Sequence, residues 1–339
     1  MTQKRQTYTI RDIAQRANVS YQTVSLVINK KPGVSESTRK RILDLMNELD
    51  YHPNRVAQIL NSNQSKTLEL IIVDVRYGGR LADSTKIMAA TAKDMGYSLL
   101  ISEAESHNLA AAFSNAAARL VDGVVLYAPR LRFSDEQMLS LANTLPMVRR
   151  DYMPGSKLAW VGFDQVYATR LATEHLISLG HKRIAAVPPD PDLINGYWRL
   201  LTWQNVLREH GLEPGPYVTG DYSMKSGYEA THRLVDLNQP FTGLVVGTDT
   251  MAMGVLRALR ERGFSIPGDV SVVSLDNSEM ASYTEPTLTT VDFRFSKQDE
   301  MAVRFLIELL NTPQMELHQR VLTPTGLVVR ESTRPLTEG

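Results

Sequence analysis

Tyr8-Thr9-Ile10-Arg11-Asp12-Ile13-Ala14 and Val19-Ser20-Tyr21-Gln22-Thr23-Val24-Ser25 are the two runs on which the reading of this chain turns. Thr9 can cap a helix with its hydroxyl, and Asp12, three residues on, suits the positive end of the helix dipole. Ile10, Ile13, Ala14 and Ala17 then recur on one apolar helical face. Asn18 tolerates a left-handed backbone and so fits a sharp turn. Ser20 caps a second short helix with Val24, Val27 and Ile28 inside and Tyr21, Gln22, Ser25, Leu26 and Asn29 outside. Pro32 and Gly33 end it. Ser35 caps a third helix, with Ile42, Leu45, Met46 and Leu49 inside and Arg39, Lys40 and Arg41 outside.

Two short helices joined by a tight turn, with a third closing a small core, form a helix-turn-helix. The second helix of such a unit lies in the DNA major groove. Gln22 can bond a base edge bidentately, and Tyr21 and Ser25 carry hydroxyls that donate or accept. Any small helical bundle with a polar outer face would show the same pattern, so the residues alone leave both readings open.

Residues 8–60 resemble the DNA-binding headpiece of the LacI/GalR family of bacterial transcription regulators. Val19-Ser20-Tyr21-Gln22-Thr23-Val24-Ser25 matches the family's recognition helix, and Asn54-Arg55-Val56-Ala57-Gln58-Ile59-Leu60 matches its hinge helix. The resemblance implies DNA contacts from Thr9, Ser20, Tyr21, Gln22, Thr23, Ser25, Leu26 and Asn29, and from Asn54, Arg55, Ala57 and Leu60 in the hinge. Many members carry Arg where this chain has Leu26. Arg would grip guanine O6 and N7, whereas Leu can touch only a thymine methyl. A half-site altered at that base pair is therefore expected.

The 339 residues exceed one compact core and fit two or three domains. Net charge is zero, but residues 1–60 hold ten Lys or Arg against five Asp or Glu. A basic module on an acidic body is the asymmetry expected when only one end meets phosphate. There is no cysteine, hence no disulfide framework or thiolate metal site. Met1-Thr2-Gln3-Lys4-Arg5-Gln6 lacks the apolar region of a secretory signal, and no apolar run reaches membrane-spanning length. A cytoplasmic, nucleoid-associated protein with no membrane contact is expected.

Residues 1–52 are read as the helix-turn-helix domain and 53–66 as hinge helix and linker. Residues 66–332 are read as the effector-binding and dimerisation core. A helix as short as the hinge is marginal alone in water. In the family, paired hinge helices enter the minor groove, where the Leu matching Leu60 wedges between base steps and kinks the duplex.

From Leu68 short apolar runs alternate with helical ones. Strands are expected at 68–75, 98–102, 123–127 and 146–149, with helices at 81–95, 109–120 and 134–142 between them. A second set follows: helices at 165–179, 196–210 and 250–262, with strands at 183–187, 243–246 and 270–274. A helix at 296–310 and strands near 319–322 and 325–330 finish the chain. Such alternation implies parallel sheets covered on both faces. The fold class is thus an all-α headpiece plus an α/β core of two parallel-sheet subdomains. The resemblance makes that core similar to periplasmic binding proteins, with three crossings. Its N-subdomain is about 66–162 and 293–323, and its C-subdomain about 163–292 and 324–332. A ligand would sit between them at the strand ends.

No G-x-G-x-x-G follows a strand, and no G-x-x-x-x-G-K-S/T, G-x-S-x-G or H-E-x-x-H occurs. The seven His are scattered, and His175 and His181 fit capping or backbone-satisfying roles better than a metal site. No enzyme, metal or cofactor is expected. The resemblance implies that Asp276, after the apolar run 270–275, accepts hydrogen bonds from an effector. It implies that Arg199 is a second contact, although the family's Gly three residues later is Thr202 here. Arg76, Tyr77, Asp151, Phe163, Tyr222, Thr248 and Phe295 occupy other pocket positions. Arg199 and Asp276 would equally fit a surface ion pair, and the aromatics a core; Asp249 fits a helix cap. Charged and aromatic groups at several strand ends suit a carbohydrate, whose hydroxyls want bidentate partners and whose C–H faces want aromatic surface. The paired aromatics of the family's purine-responsive members have no match in Arg76-Tyr77.

The expected protein is a homodimer reading a pseudo-palindromic double-stranded operator. A small-molecule effector would alter the angle between subdomains and so the pairing of the hinge helices; release of DNA is the commoner outcome among sugar-responsive members, and the sequence leaves the direction open. After Val329, Arg330-Glu331-Ser332-Thr333-Arg334-Pro335 is polar and broken by Pro, so dimers rather than tetramers are expected. The rival readings are a sugar-binding receptor without a DNA role, a purine-type corepressor-dependent regulator, and a sugar-modifying enzyme.

Overall fold

A computed structural model describes residues 8–29, 31–51, 64–75, 80–130, 133–142, 145–312, 319–324 and 326–336. The chain divides into two compact units, 1–65 and 66–339.

The first unit contains α1 (Ile10–Arg16), α2 (Tyr21–Ile28) and α3 (Glu36–Glu48). Thr9 and Asp12 close a reciprocal capping box on α1. The Thr9 amide donates to Asp12 Oδ2 at 2.7 Å, and the Asp12 amide donates to Thr9 Oγ1 at 3.3 Å. The Thr9 amide and the Thr9 hydroxyl, both donating to that carboxylate, hold the Asp12 carboxyl below its usual pKa. Asn18 has a φ of +49°, the left-handed turn its side chain tolerates. Ser20 Oγ accepts from the Thr23 amide at 3.1 Å and starts α2. Ile13, Ala14, Ala17, Val24, Val27 and Ile42 form the buried core, with Ile28, Leu45, Met46 and Leu49 packed against it.

The second unit holds two sheets. The first runs β2-β1-β3-β4, all parallel, from β1 (Thr67–Val73), β2 (Ser98–Ala104), β3 (Gly123–Tyr127) and β4 (Met147–Arg149). A parallel bridge from Arg149 to Trp160 links it to β5 (Val161–Phe163), which pairs with β10 (Arg320–Leu322). Side chains on β1 alternate between its two faces. Leu68, Leu70 and Ile72 pack on Met88 and Ala92 of α4 (Leu81–Asp94) and on Ala302, Val303 and Leu306 of α11 (Phe295–Asn311). Ile71 and Val73 pack on the opposite side, against α5 (Leu109–Ala118) and α6 (Asp135–Ala142). Both faces are therefore covered, as a strand buried along its length requires.

The second sheet runs β11-β9-β8-β7-β6. Its strands are β6 (Ile184–Val187), β7 (Gly243–Val246), β8 (Ser271–Asp276), β9 (Thr289–Asp292) and β11 (Gly326–Val328). One face carries α7 (Gln165–Ser178) and α8 (Ile194–Glu209), the other α9 (Met224–Asp236) and α10 (Asp249–Glu261). The chain passes between the sheets after β5, after β9 and after β10.

Some elements depart from the sequence expectation. The edge strand β11 runs antiparallel to β9, so the second sheet is mixed. The sequence pattern does not predict helix α9, although Ser223 caps it. Its inner face is Gly227, Ala230, Thr231 and Leu234, too small to register as an apolar stripe. Those small residues let α9 and α10 meet backbone to backbone. A Cβ on Gly227 would run into the Met251 carbonyl oxygen, and one on Gly254 into that of Met224. Strand β9 is also unpredicted, because Thr289-Thr290-Val291-Asp292 carries a single apolar side chain. Both threonines are wholly buried, with Thr290 Oγ1 donating to Asp249 Oδ1 at 2.7 Å.

Candidate functional site

The outer face of α2 is the first site. Tyr21 is 47% exposed, and Gln22 and Asn29 are also exposed, while Thr23, Ser25 and Leu26 are half-buried. Several of the polar groups are engaged locally. Ser20 Oγ lies 2.9 Å from Thr23 Oγ1, and Asn29 Nδ2 donates to the Ser25 carbonyl at 2.8 Å. Among the described residues the Gln22 side chain makes no such bond and stands open to a partner. Thr9 is exposed but serves the capping box. Asn54, Arg55, Ala57 and Leu60 lie outside the described residues.

The second site is a cavity of about 140 Å³ between the two sheets of the second unit. Its walls come from chain leaving the C-terminal ends of β1, β3, β4, β5, β7 and β8, the place where open α/β sheets bind ligands. Of the residues singled out in the sequence, Phe163, Arg199, Tyr222, Thr248, Asp276 and Phe295 line it. Arg76 and Tyr77 fall outside the described residues.

Arg199 and Asp276 are not a surface pair: they are 4% and 9% exposed. Arg199 Nε donates to Gln165 Oε1 at 2.8 Å, and its Nη1 donates to the Gly247 carbonyl. Its Nη2 stands 4.0 Å from Asp276 Oδ1, too far for a hydrogen bond. Thr202 is buried on the same helix and does not keep Arg199 from the cavity. Asp276 Oδ1 is buried without a hydrogen-bond partner. Burial raises the Asp276 pKa to about 7, against the opposing pull of Arg199. Its φ is +126°, a region that favours glycine, so the backbone is strained where the carboxylate is presented. Burial likewise raises the Tyr222 pKa well above the usual phenol value.

Phe163 is edge-on to Phe295 with centroids 5.4 Å apart, and Phe293 stacks on Phe295 at 5.3 Å. The aromatics therefore serve as both cavity wall and core. Thr248 also caps α10, because its hydroxyl accepts from the Met251 amide. Asp249, which the sequence suggests as a cap, is instead buried beneath the site. It accepts from Ser274 Oγ, Thr290 Oγ1 and the Ser278 amide, tying α10 to β8 and β9.

Asp151 corrects the sequence reading. It does not line the cavity; its Oδ2 faces Arg149 Nη2 at 3.2 Å, and both side chains are buried. The residue beside it takes the place in the wall. Arg150 Nε meets Asp299 Oδ1 at 2.6 Å, its Nη2 donates to Ser84 Oγ at 3.2 Å, and its guanidinium lies 4.9 Å from the Tyr127 ring centroid. Sequence reasoning missed Arg150, Arg80, Tyr127, Tyr152 and Gln165. The doublet Arg149-Arg150 ending an apolar strand was the available signal.

Residues 9–54 match the model of bacterial regulatory proteins of the lacI family, and 173–333 that of a periplasmic binding protein-like domain. The lactose operon repressor of Escherichia coli (strain K12) is 32% identical over 334 residues, 96% of this chain and 90% of the repressor. The chain belongs to the LacI family. It is a sequence-specific DNA-binding transcriptional regulator, with the family's helix-turn-helix and α/β core. The lac repressor dimer bound to operator and the anti-inducer ONPF superposes with a TM-score of 0.87 at 29% identity, covering 97% of this chain and 100% of that one. A complex of the transcriptional regulator CelR with cellobiose superposes at 0.71 and 28% identity, covering 96% and 99%. Among the described residues no helix is long and apolar enough to cross a membrane, and no group of His, Asp or Glu could hold a metal ion.

Proposed function

We propose that this LacI-family chain acts as a homodimer on a pseudo-palindromic operator, under the control of a carbohydrate held in the core cavity. The carrying observation is the cavity's composition. Phe163 and Phe295 offer apolar surface to C–H faces, while Arg199, Gln165, Asn195 and an unpartnered Asp276 oxygen offer donors and acceptors to hydroxyls. The relatives that hold an operator or cellobiose support the same reading.

At the DNA end, Gln22 and Tyr21 would reach base edges, Ser25 and Leu26 would follow along the same face, and Thr9, Ser20, Thr23 and Asn29 would hold the helix against the backbone. Asn54, Arg55, Ala57 and Leu60 would form the paired hinge, with Leu60 wedged between base steps. Sugar in the cavity would change the angle between the two sheets and weaken the hinge pairing. Ligand and operator would then oppose each other by equal factors in both directions.

Two measurements test this. Thermal shift against neutral sugars, acidic sugars and nucleobases should move the melting point with a sugar; a response to nucleobases alone would replace carbohydrate with purine. Anisotropy on a selected operator should lose affinity when that sugar is added and when Leu60 becomes Ser. Unchanged affinity in both cases would remove the switch.

A further inference from the structure

Resting on the carbohydrate reading, we propose that the effector carries one anionic group, a carboxylate or a phosphate on the sugar, and that Arg80 receives it with Arg150 alongside. Three guanidinium groups line the cavity, those of Arg80, Arg150 and Arg199. Two carboxylates answer them. Asp299, wholly buried, takes Arg150, and Asp276 stands opposite Arg199. Among the described residues Arg80 has no such partner. Its guanidinium carbon lies 4.0 Å from the Phe295 ring centroid, its Nε is buried with no hydrogen bond, and it shares the field of Asp276 with Arg199.

A guanidinium over an aromatic ring gains from the ring's negative face without using its N–H groups, which can still meet a carboxylate or phosphate bidentately. Ser84, one helical turn beyond Arg80, receives a hydrogen bond from Arg150, so both cations border the first turn of α4. Arg80 ends the chain entering that helix, and no side chain caps the helix there. A neutral sugar would leave the positive excess in place; an anionic sugar removes it. The hydroxyls would then meet Arg199 and Asp276, and the acid group the Arg80 side.

Asp276 senses the same charges: burial and the neighbouring Asp249 push its carboxyl toward the protonated form, while Arg199 and Arg80 pull it toward ionisation. A second anion in the cavity would favour the protonated form, so binding an acidic sugar near pH 7 should take up protons. A neutral sugar, donating its hydroxyls to the carboxylate, should not.

The test is calorimetric titration of the full-length protein with matched pairs: glucose, galactose, xylose and fructose, each beside its uronate, aldonate or phosphate, with inorganic phosphate as a further probe. At least one acidic member should bind tenfold or more tighter than its neutral twin. That advantage should shrink with added salt and come with proton uptake, read from buffers of different ionisation enthalpy. Arg80→Gln should abolish the advantage, and Arg80→Lys, which keeps the charge, should retain part of it and so exclude misfolding. Preference among the acidic members decides between carboxylate and phosphate. Neutral sugars binding as well as their acidic twins would overturn the proposal and leave the carbohydrate reading standing, as would an Arg80→Gln variant with the advantage intact. Inorganic phosphate matching every sugar phosphate would also overturn it. Binding of a nucleobase and no sugar would defeat the carbohydrate reading itself.

Discussion

The α2 face and the core cavity present polar groups in opposite ways. Tyr21, Gln22 and Asn29 stand in water on one short helix, already solvated and spaced by the helix itself. Arg199 and Asp276 sit almost wholly out of water, on different elements, brought together only by the sheets. An exposed side chain costs nothing to hold ready and can be exchanged with little effect on folding. A buried one must be paired or carry a shifted pKa. The first region can therefore change its target by single substitutions, while the second is tied to the stability of the unit that contains it.

The largest expected effect breaks a pair in the cavity wall. Asp299→Ala leaves Arg150 buried without its counter-charge, which costs about 3–5 kcal/mol. Denaturant unfolding followed by a core probe should shift by that amount while the headpiece transition stays put. A headpiece shift of equal size would show that the two regions are not independent.

Next in size is the pH response of Asp276. Its folded pKa of about 7 lies above the unfolded value of about 4. The folded state therefore holds the proton more tightly, and stability falls as pH rises from about 4 to about 7, then levels. Each unit of difference is about 1.4 kcal/mol, so the total reaches a few kcal/mol. Unfolding of the wild type and of Asp276→Asn across that range should differ in slope by this term. Parallel curves would mean that the carboxyl is not held protonated.

On the α2 face the effects are smaller and act on specificity. Gln22→Ala should lose about 1–3 kcal/mol of base discrimination, and Leu26→Arg should move the preference at one position toward guanine. Selection from random duplexes reads both, with core stability unchanged. A selected half-site that is the same with Leu26 and with Arg would take this residue out of base readout. Smallest is the cap: Ser20→Ala should lower headpiece stability by about 1 kcal/mol. Loss of the effector response in that variant would sink the division between the regions.

Legibility followed the same division. The caps at Thr9, Ser20 and Ser35, the turn at Asn18 and the headpiece core were readable because each depends on neighbours within a turn or two of helix. The apolar strands β1, β3, β7 and β8 announced themselves by composition. Helix α9 and strand β9 did not, since one is built on glycine and small residues for close packing and the other on threonines satisfied from distant elements.

By itself the sequence determined the helix-turn-helix and most of the α/β alternation, because local periodicity and capping are properties of contiguous residues, while its motifs carried the resemblance to the family. It also marked six of the cavity residues. Only the tertiary structure decided that Asp151 belongs to Arg149, that Asp249 is a buried clamp and that Arg80 faces the cavity with no ion pair among the described residues. Charge balance in a cavity is a sum over groups from separate strands and helices, and no stretch of chain carries that sum.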